Sequence, residues 1–386
     1  MLVSTLRGAV LATAQQLVED EVESLVGPMW SRKGDSPLRR GGSTQARVFL
    51  EGEPVHMKRA RVRDVASGTE HPLQTVAALS SRDALDEDVH RLVARGVTTR
   101  NYDAALGRIS DGLGLKKSAV SKAFQRAAQK DLDGLNHRPL GDATYAALYI
   151  DGVGFGDTTC IVAMGLSTDG TKQILGVLDG ASENSTVVID LLNSLEERGL
   201  TLTSRALFVL DGGKALRKAV KAKYGKRALV QRCQVHKLRN VLAYLPPSKH
   251  AEARRRLRVA WGMEQYEDAK VELGRVLTWL RTISSSAAES LEEAFDETLT
   301  VHALGVGGTL RRSLATTNPI ESAFDTVRQI SRRVKRWRDG NMAMRWAGTG
   351  LVTAQSQFRR VKGYKQMTTL IAALDSQDLQ ATKDVA

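Results

Sequence analysis

Cysteine is scarce in this 386-residue chain: Cys160 and Cys233 can form at most one bridge, which excludes a disulfide-held scaffold. Long apolar runs are missing too. No stretch approaches the roughly 18 uncharged apolar residues of a membrane-spanning helix, so no membrane partner is expected. The apolar segment Gly8 to Ala14 is short and runs into Glu19, Asp20, Glu21 and Glu23. It reads as the start of an amphipathic helix rather than a cleaved signal. Internal repeats and low-complexity tracts are also absent. With 42% hydrophobic and 26% charged residues, the balance is globular, with room for two or three domains. A reduced, cytoplasmic setting is expected.

Acids are scarce in two windows only. The formal net charge is +13. Residues 205–258 hold 16 Lys/Arg against Asp211 and Glu252, and residues 311–365 hold 13 against Glu321, Asp325 and Asp339. The remainder of the chain is net acidic. Basic charge gathered in patches points to a polyanionic partner, whereas evenly spread charge does not. Solvated helix faces are the plain alternative.

Along the chain, a helix is expected from Val10 to Leu25. The Gly/Arg-rich stretch Leu38–Leu50 and Lys58–Arg63 follow, with alternation at Arg47–Leu50 and Val55–Val62 suggesting a small β element. Its cations suit phosphate contacts or a solvated ribbon equally well. Residues 83–130 read as helical. A helix over 98–109, a Gly-containing turn and a second helix over 116–126 have the anatomy of a helix-turn-helix. Lys117, Ser118, Ser121, Lys122 and Gln125 would then face a DNA groove, with Val120 and Phe124 toward the core. Asn136 to Asp142 reads as a linker.

Residues 145–235 run in the order β-β-β-α-β-α-β, an α/β pattern with a sheet of mixed direction. Residues 236–300 read as helical, broken at Pro246-Pro247 and Ser284–Ser286, and a further helix starts near Pro319. The Gly152-Val-Gly154-Phe-Gly156 run mimics a dinucleotide fingerprint, but no helix pattern follows it, so it is discarded.

Asp151 and Asp211 each follow an apolar run and precede a glycine, which places them at the C-terminal edge of a sheet, where α/β folds build sites. Glu321 lies one turn into the helix at Pro319. Each Asp-Gly alone is an ordinary turn. Three carboxylates amid Lys and Arg are what Mg²⁺-dependent phosphodiester chemistry needs: oxygen ligands for two hard cations, and a positive field for the nucleic-acid backbone.

Together, Tyr149-Ile-Asp-Gly152, Val209-Leu-Asp-Gly-Gly213, Arg232-Cys-Gln-Val-His-Lys-Leu-Arg-Asn240 and Thr316-Thr-Asn-Pro-Ile-Glu-Ser322 resemble the Mutator-type transposases of bacterial insertion sequences. The likeness runs from about residue 20 to 365. It implies a ribonuclease H-like α/β core carrying an Asp-Asp-Glu triad, interrupted by an all-helical insertion, behind a mainly α N-terminal DNA-binding region with a helix-turn-helix. The implied division is 1–80 accessory, 81–142 helix-turn-helix, 143–240 first part of the core, 241–310 insertion, 311–365 second part with the Glu helix, and 366–386 tail. Asp151, Asp211 and Glu321 are then the catalytic metal ligands for two Mg²⁺, with Mn²⁺ as substitute.

Lys214, Arg217, Lys218, Arg328, Arg332 and Arg333 would hold phosphates. The Cys233/His236 pair matches a family Cys-x-x-His. It lacks the second pair that tetrahedral zinc requires, so the expectation is packing beside the triad, with His236 touching DNA or positioning Asp211. Asn318 is expected near the same site. Trp261 or Trp279 would either stack on a flipped base or sit in the core, and Gly212-Gly213 departs from the family by loosening the Asp211 corner. The expected activity is strand cleavage and strand transfer at terminal inverted repeats by a dimer. A catalytically silent DNA-binding regulator and a ribonuclease H-like nuclease acting on RNA or junctions are the competing readings.

Overall fold

The computed structural model describes residues 2–30, 36–50, 53–81, 90–91, 117–180 and 185–376. They fall into two units, divided between Ala127 and Ala128. In the first, helix α1 (Leu2–Val26) buries Ala14, Val18, Val22 and Val26, a stripe spaced four apart. That stripe packs on an antiparallel sheet of β1 (Leu38–Leu50), β2 (Glu53–Asp64) and the short β3 (Glu70–His71), sharing a core with Val48, Met57 and Val62. The expected β element is therefore a long hairpin. Some of its cations are already paired: Arg59 and Arg61 converge on Glu70, and Arg40 meets Glu19. Helix α2 (Gln74–Ser80) is capped from a distance, because the Glu21 carboxylate accepts the N–H groups of Gln74 at 2.6 Å and Thr75 at 2.9 Å.

Helix α3 (Lys117–His137) carries the second element of the expected helix-turn-helix. The first, residues 98–109, lies outside the described residues. Phe124 is buried as expected, Lys122 and Gln125 are exposed, and Ser121 is half-buried. Lys117 and Ser118 stand on the first turn.

The second unit is built on five strands: β4 (Thr144–Phe155), β5 (Thr158–Ser167), β6 (Lys172–Asp179), β7 (Thr201–Leu210) and β8 (Ala228–Arg232). Their order is β6-β5-β4-β7-β8, with the first three antiparallel and β4, β7 and β8 mutually parallel. Two parallel pairings need crossovers, which α4 (Ser185–Glu197) and α5 (Lys214–Tyr224) supply. Helix α4 buries Val188, Leu191, Leu192 and Leu195, each stabilising by about 2 kcal/mol on burial. Residues 136–142 are not a free linker. The Asn136 side chain pairs with both the N–H and C=O of Val177 on edge strand β6, at 3.0 and 2.8 Å, and Leu140 donates its N–H to Arg198 O. An edge strand presents open backbone groups, and this amide covers one pair of them.

After β8 comes the helical segment expected from the sequence: α6 (Gln234–Ala243), α7 (Pro247–Gly262), α8 (Tyr266–Arg281), α9 (Ser285–Glu292), a 3₁₀ turn (Asp296–Leu299) and α10 (Thr300–Ala303). Pro247 opens α7, and Ser284 caps α9 by accepting the Ala287 N–H. This segment has its own core around Leu257, Trp261, Leu273, Val276 and Leu291. The chain then returns to the sheet through α11 (Gly308–Leu314), α12 (Asn318–Ser331), α13 (Gly340–Gln355) and α14 (Met367–Asp375).

The two sheet faces separate by strand alternation. Leu148, Ile150, Phe208 and Leu210 meet α4 and α5, whereas Tyr149, Val153, Leu207 and Val209 share a core with α12, α13 and α14. Past the irregularity between Tyr145 and Ala147, odd-numbered positions of β4, like Leu207 and Val209 of β7, therefore look toward α12. Among the described residues no helix is long and apolar enough to cross a membrane.

Candidate active site

The parallel register of β4 and β7 pairs Tyr149 with Val209 and Ile150 with Leu210. Asp151 follows within β4, and Asp211 is the first residue past the end of β7. By alternation both belong to the face toward α12, the helix that carries Glu321. The sheet thus brings the two aspartates side by side, and the helix brings the glutamate from 110 positions further on. Each aspartate is held by a following amide: Asp151 Oδ1 accepts from Gly152 N–H at 2.8 Å, and Asp211 Oδ1 from Gly213 N–H at 2.8 Å.

Gly212 does not loosen the second corner. Its φ of +124° is accessible to glycine, and its carbonyl accepts a 2.7 Å bond from Arg232. A Cβ at this position would come 2.4 Å from Arg232 Nη1. The glycine is what allows the guanidinium to pin the turn. Arg232 is itself buried and ion-paired to Glu293, which also receives the buried Lys237 at 2.7 Å. Burial would raise the Glu293 carboxyl, but these two cations bring it below the usual range.

Asp151 is 7% exposed. Burial first, then the charge of Asp211 and lastly that of Glu321, pushes its pKa up to about 7, opposed by the Gly152 amide and by His236. Burial is the larger cause, and the like charges of Asp211 and Glu321 add to it. Glu321 is half-buried, and its Oε1 accepts the Thr317 hydroxyl at 2.6 Å and lies 3.7 Å from His236 Nδ1. The structure sets His236 against Thr317 and Glu321. Cys233, fully buried, is approached by Thr317 N at 3.3 Å and by Thr317 Oγ1 at 3.3 Å. Burial would raise this thiol, but hydrogen bonds from His236 and Thr317 bring it below its ordinary value; the same bond to Cys233 raises His236 against its own burial.

Ligand atoms of Cys233, His236 and Glu321 lie within 4.8 Å of one another. Thr317 Oγ1 touches all three, so this trio is already joined by a hydroxyl. Asp151 and Asp211 give no ligand atom to that trio; with Glu321 they would offer oxygen donors of the kind that suit Mg²⁺ or Mn²⁺.

The expected phosphate contacts divide. Lys214, Lys218, Arg332 and Arg333 are exposed, with no acidic partner among the described residues, whereas Arg217 pairs with Glu297 and Arg328 with Asp325. Asn318 is exposed on the first turn of α12. Trp261 is a core residue that donates Nε1–H to Thr298 Oγ1, and Trp279 packs partly buried on the same helical core with Arg256 4.7 Å over its ring.

Sequence reasoning passed over Lys335, Arg336 and Arg338, exposed on the loop between α12 and α13. Trp337 anchors that loop edge-on against Phe155 at 4.9 Å and Trp346 at 6.5 Å. A Cβ on Gly156 would reach 3.2 Å from the Trp337 ring, so glycine at the β4–β5 turn leaves room for the anchor. The basic run itself was the available signal. Thr317 was also missed, although its place four residues before Glu321 is a visible one.

A family model described as Transposase, Mutator family matches residues 3–361. The chain is 27% identical over 251 residues to the transposase for insertion sequence element IS6120 of Mycolicibacterium smegmatis, covering 63% of this chain and 76% of that protein. It is 23% identical over 358 residues to the transposase for insertion sequence element IS256 in transposon Tn4001 of Staphylococcus aureus, covering 89% and 88%. Among solved structures, the Drosophila P element transposase strand transfer complex aligns at 11% identity with a TM-score of 0.30, over 77% of this chain and 85% of that one.

Proposed function

The chain belongs to the Mutator family of transposases, and on that premise we propose that it cuts and joins DNA at Asp151, Asp211 and Glu321, using two Mg²⁺ or Mn²⁺ ions. The second unit is read as a ribonuclease H-like core split by the helical segment between β8 and α11. Its strand order, with an antiparallel trio flanked by two parallel strands, supports that reading. The observation that carries the site is the register of β4 and β7, which sets Asp151 beside Asp211 on the face where α12 packs.

The three carboxylates would hold the ions, which when bound activate the attacking hydroxyl and stabilise the leaving oxygen. Asp151 must shed its proton to serve as a ligand. Lys214, Lys218, Arg332 and Arg333, joined by Lys335, Arg336 and Arg338, would hold phosphates against repulsion by the acids. Helix α3 would present Lys117, Ser118, Ser121, Lys122 and Gln125 to the groove of a terminal inverted repeat. Two ends must be brought together, so the working form is a homodimer.

The test is strand cleavage of a duplex carrying the repeats that flank the gene, with Mg²⁺ or Mn²⁺ present. Asp151→Ala, Asp211→Ala and Glu321→Ala should each lose at least ~10³-fold in rate while still binding the duplex. Undiminished cutting by any of the three removes that residue from the site.

A further inference from the structure

Thr317 stands at the N-cap of α12, where a threonine hydroxyl ordinarily accepts a backbone N–H of the first turn. Here it makes no such bond. The residue is completely buried, and its hydroxyl is turned instead toward Glu321, Cys233 and His236. A helix end that gives up its cap is using the side chain for something else.

The shortest contact decides where the hydroxyl proton goes. An ionised carboxylate can only accept, and its contact with Thr317 Oγ1 is the shortest of the three, so the single hydroxyl proton goes to Glu321 Oε1. Oγ1 also lies 3.3 Å from both Cys233 Sγ and His236 Nδ1, so it touches these two groups besides Glu321. The Thr317 backbone N–H donates to Cys233 Sγ at 3.3 Å. Cys233 is in turn tied to the sheet: its N–H donates to Leu210 O at 2.8 Å, one residue before Asp211. Gln234 N–H meets Ala315 O at 3.0 Å and fastens the same two segments. A continuous path runs from the end of β7 through Cys233 and Thr317 to the Glu321 carboxylate.

From this we infer that Thr317 is a positioning residue, whose hydroxyl locks one oxygen of Glu321 and registers it, through Cys233, to the strand that carries Asp211. The inference rests on the assignment of Glu321 to the active site. Glu321 needs such help. It arrives on a helix separated from β8 by the whole helical segment, and a partly exposed glutamate has several free torsions. Locking Oε1 leaves Oε2 as the oxygen that would face a divalent ion.

Four proteins test this, the parent with Thr317→Val, Thr317→Ser and Glu321→Gln, by two readouts: the Mn²⁺-induced rise in melting temperature, and the metal dependence of strand cleavage. Valine keeps the shape and removes only the hydroxyl. Thr317→Val should melt close to the parent in EDTA. It should need ~10-fold more Mn²⁺ for its melting shift and cleave ~10–100-fold more slowly, the range typical of lost support to a ligand. Thr317→Ser should restore both to near the parental values. A Thr317→Val protein with parental Mn²⁺ response and rate, beside an inactive Glu321→Gln, overturns the role of Thr317 and leaves the site assignment standing. Equal defects in the Ser and Val variants also overturn it, because methyl packing would then be responsible. Normal cleavage by Glu321→Gln overturns the site assignment and this inference with it.

Discussion

At the scale of single residues, Asp151 is the most informative titrating group. Its pKa near 7 lies above that of the same carboxyl in the unfolded chain, so folding favours its protonated form. Stability from this group is therefore greatest at low pH and is lost as pH rises from about 4 through 7, where the native state must carry a buried anion. The full effect is about 4 kcal/mol at most. Without divalent ions, Asp151→Asn should melt higher than the parent at pH 8, with an advantage that shrinks as pH falls toward 4. Mn²⁺ should stabilise the parent at pH 8 and do little for the variant. Parallel melting curves for the two proteins across that range would contradict the raised pKa of the buried Asp151 carboxyl. On the proposed metal-binding role, cleavage at limiting Mn²⁺ should rise with pH through the same interval, because the proton and the ion would compete for Asp151.

The elements show why not every cation in a basic window is free for a polyanion. Arg232 at the end of β8 and Lys237 in α6 are buried, and both point to Glu293 just beyond α9. They fasten the helical segment to the sheet at the Asp211 corner. Removing the anion strands two buried cations, although Arg232 keeps a longer contact of 3.6 Å to Glu297. Glu293→Gln should cost ~2 kcal/mol in denaturant unfolding, below the loss for a fully enclosed pair because Glu293 is partly open to water. A midpoint equal to the parent's would show that the apolar core of the helical segment alone seats it. The same scale explains the long α3. Its C-terminal turn leads into Asn136 and Leu140, which dock on the β6 and α4 side of the second unit, so the expected linker contributes packing.

For the molecule as a whole, the +13 net charge resolves into structural cations, paired surface cations and unpaired ones. Only the last class is available for phosphates. The loop of Lys335, Arg336 and Arg338 lies beside Trp337, which rests on Phe155 near the end of the strand that carries Asp151. Replacing all three by alanine should weaken duplex binding and flatten the dependence of log affinity on log salt by ~2 to 3, at about 0.9 per lost phosphate contact. An unchanged slope would place the DNA elsewhere on the surface. The melting temperature should stay near the parent's, since none of the three is buried or paired among the described residues.

The sequence by itself determined the local features of this protein. The strands around Asp151 and Asp211, the helix opened by Pro319, the breaks at Pro246-Pro247 and Ser284, and the two basic windows all follow from short-range rules of periodicity, capping and composition. So did the family likeness, because its motifs are contiguous. What only the tertiary structure decided is non-local. Strand alternation says which side chains share a face, but pairing β4 with β7 across 60 positions depends on crossovers and core packing. The hydroxyl of Thr317 looks like any N-cap until Cys233 and His236 arrive beside it from another strand and helix. Arg232 and Lys237 read as two more cations in a basic window until burial shows them spent on Glu293. A charge's role depends on what surrounds it, and the surroundings come from distant parts of the chain.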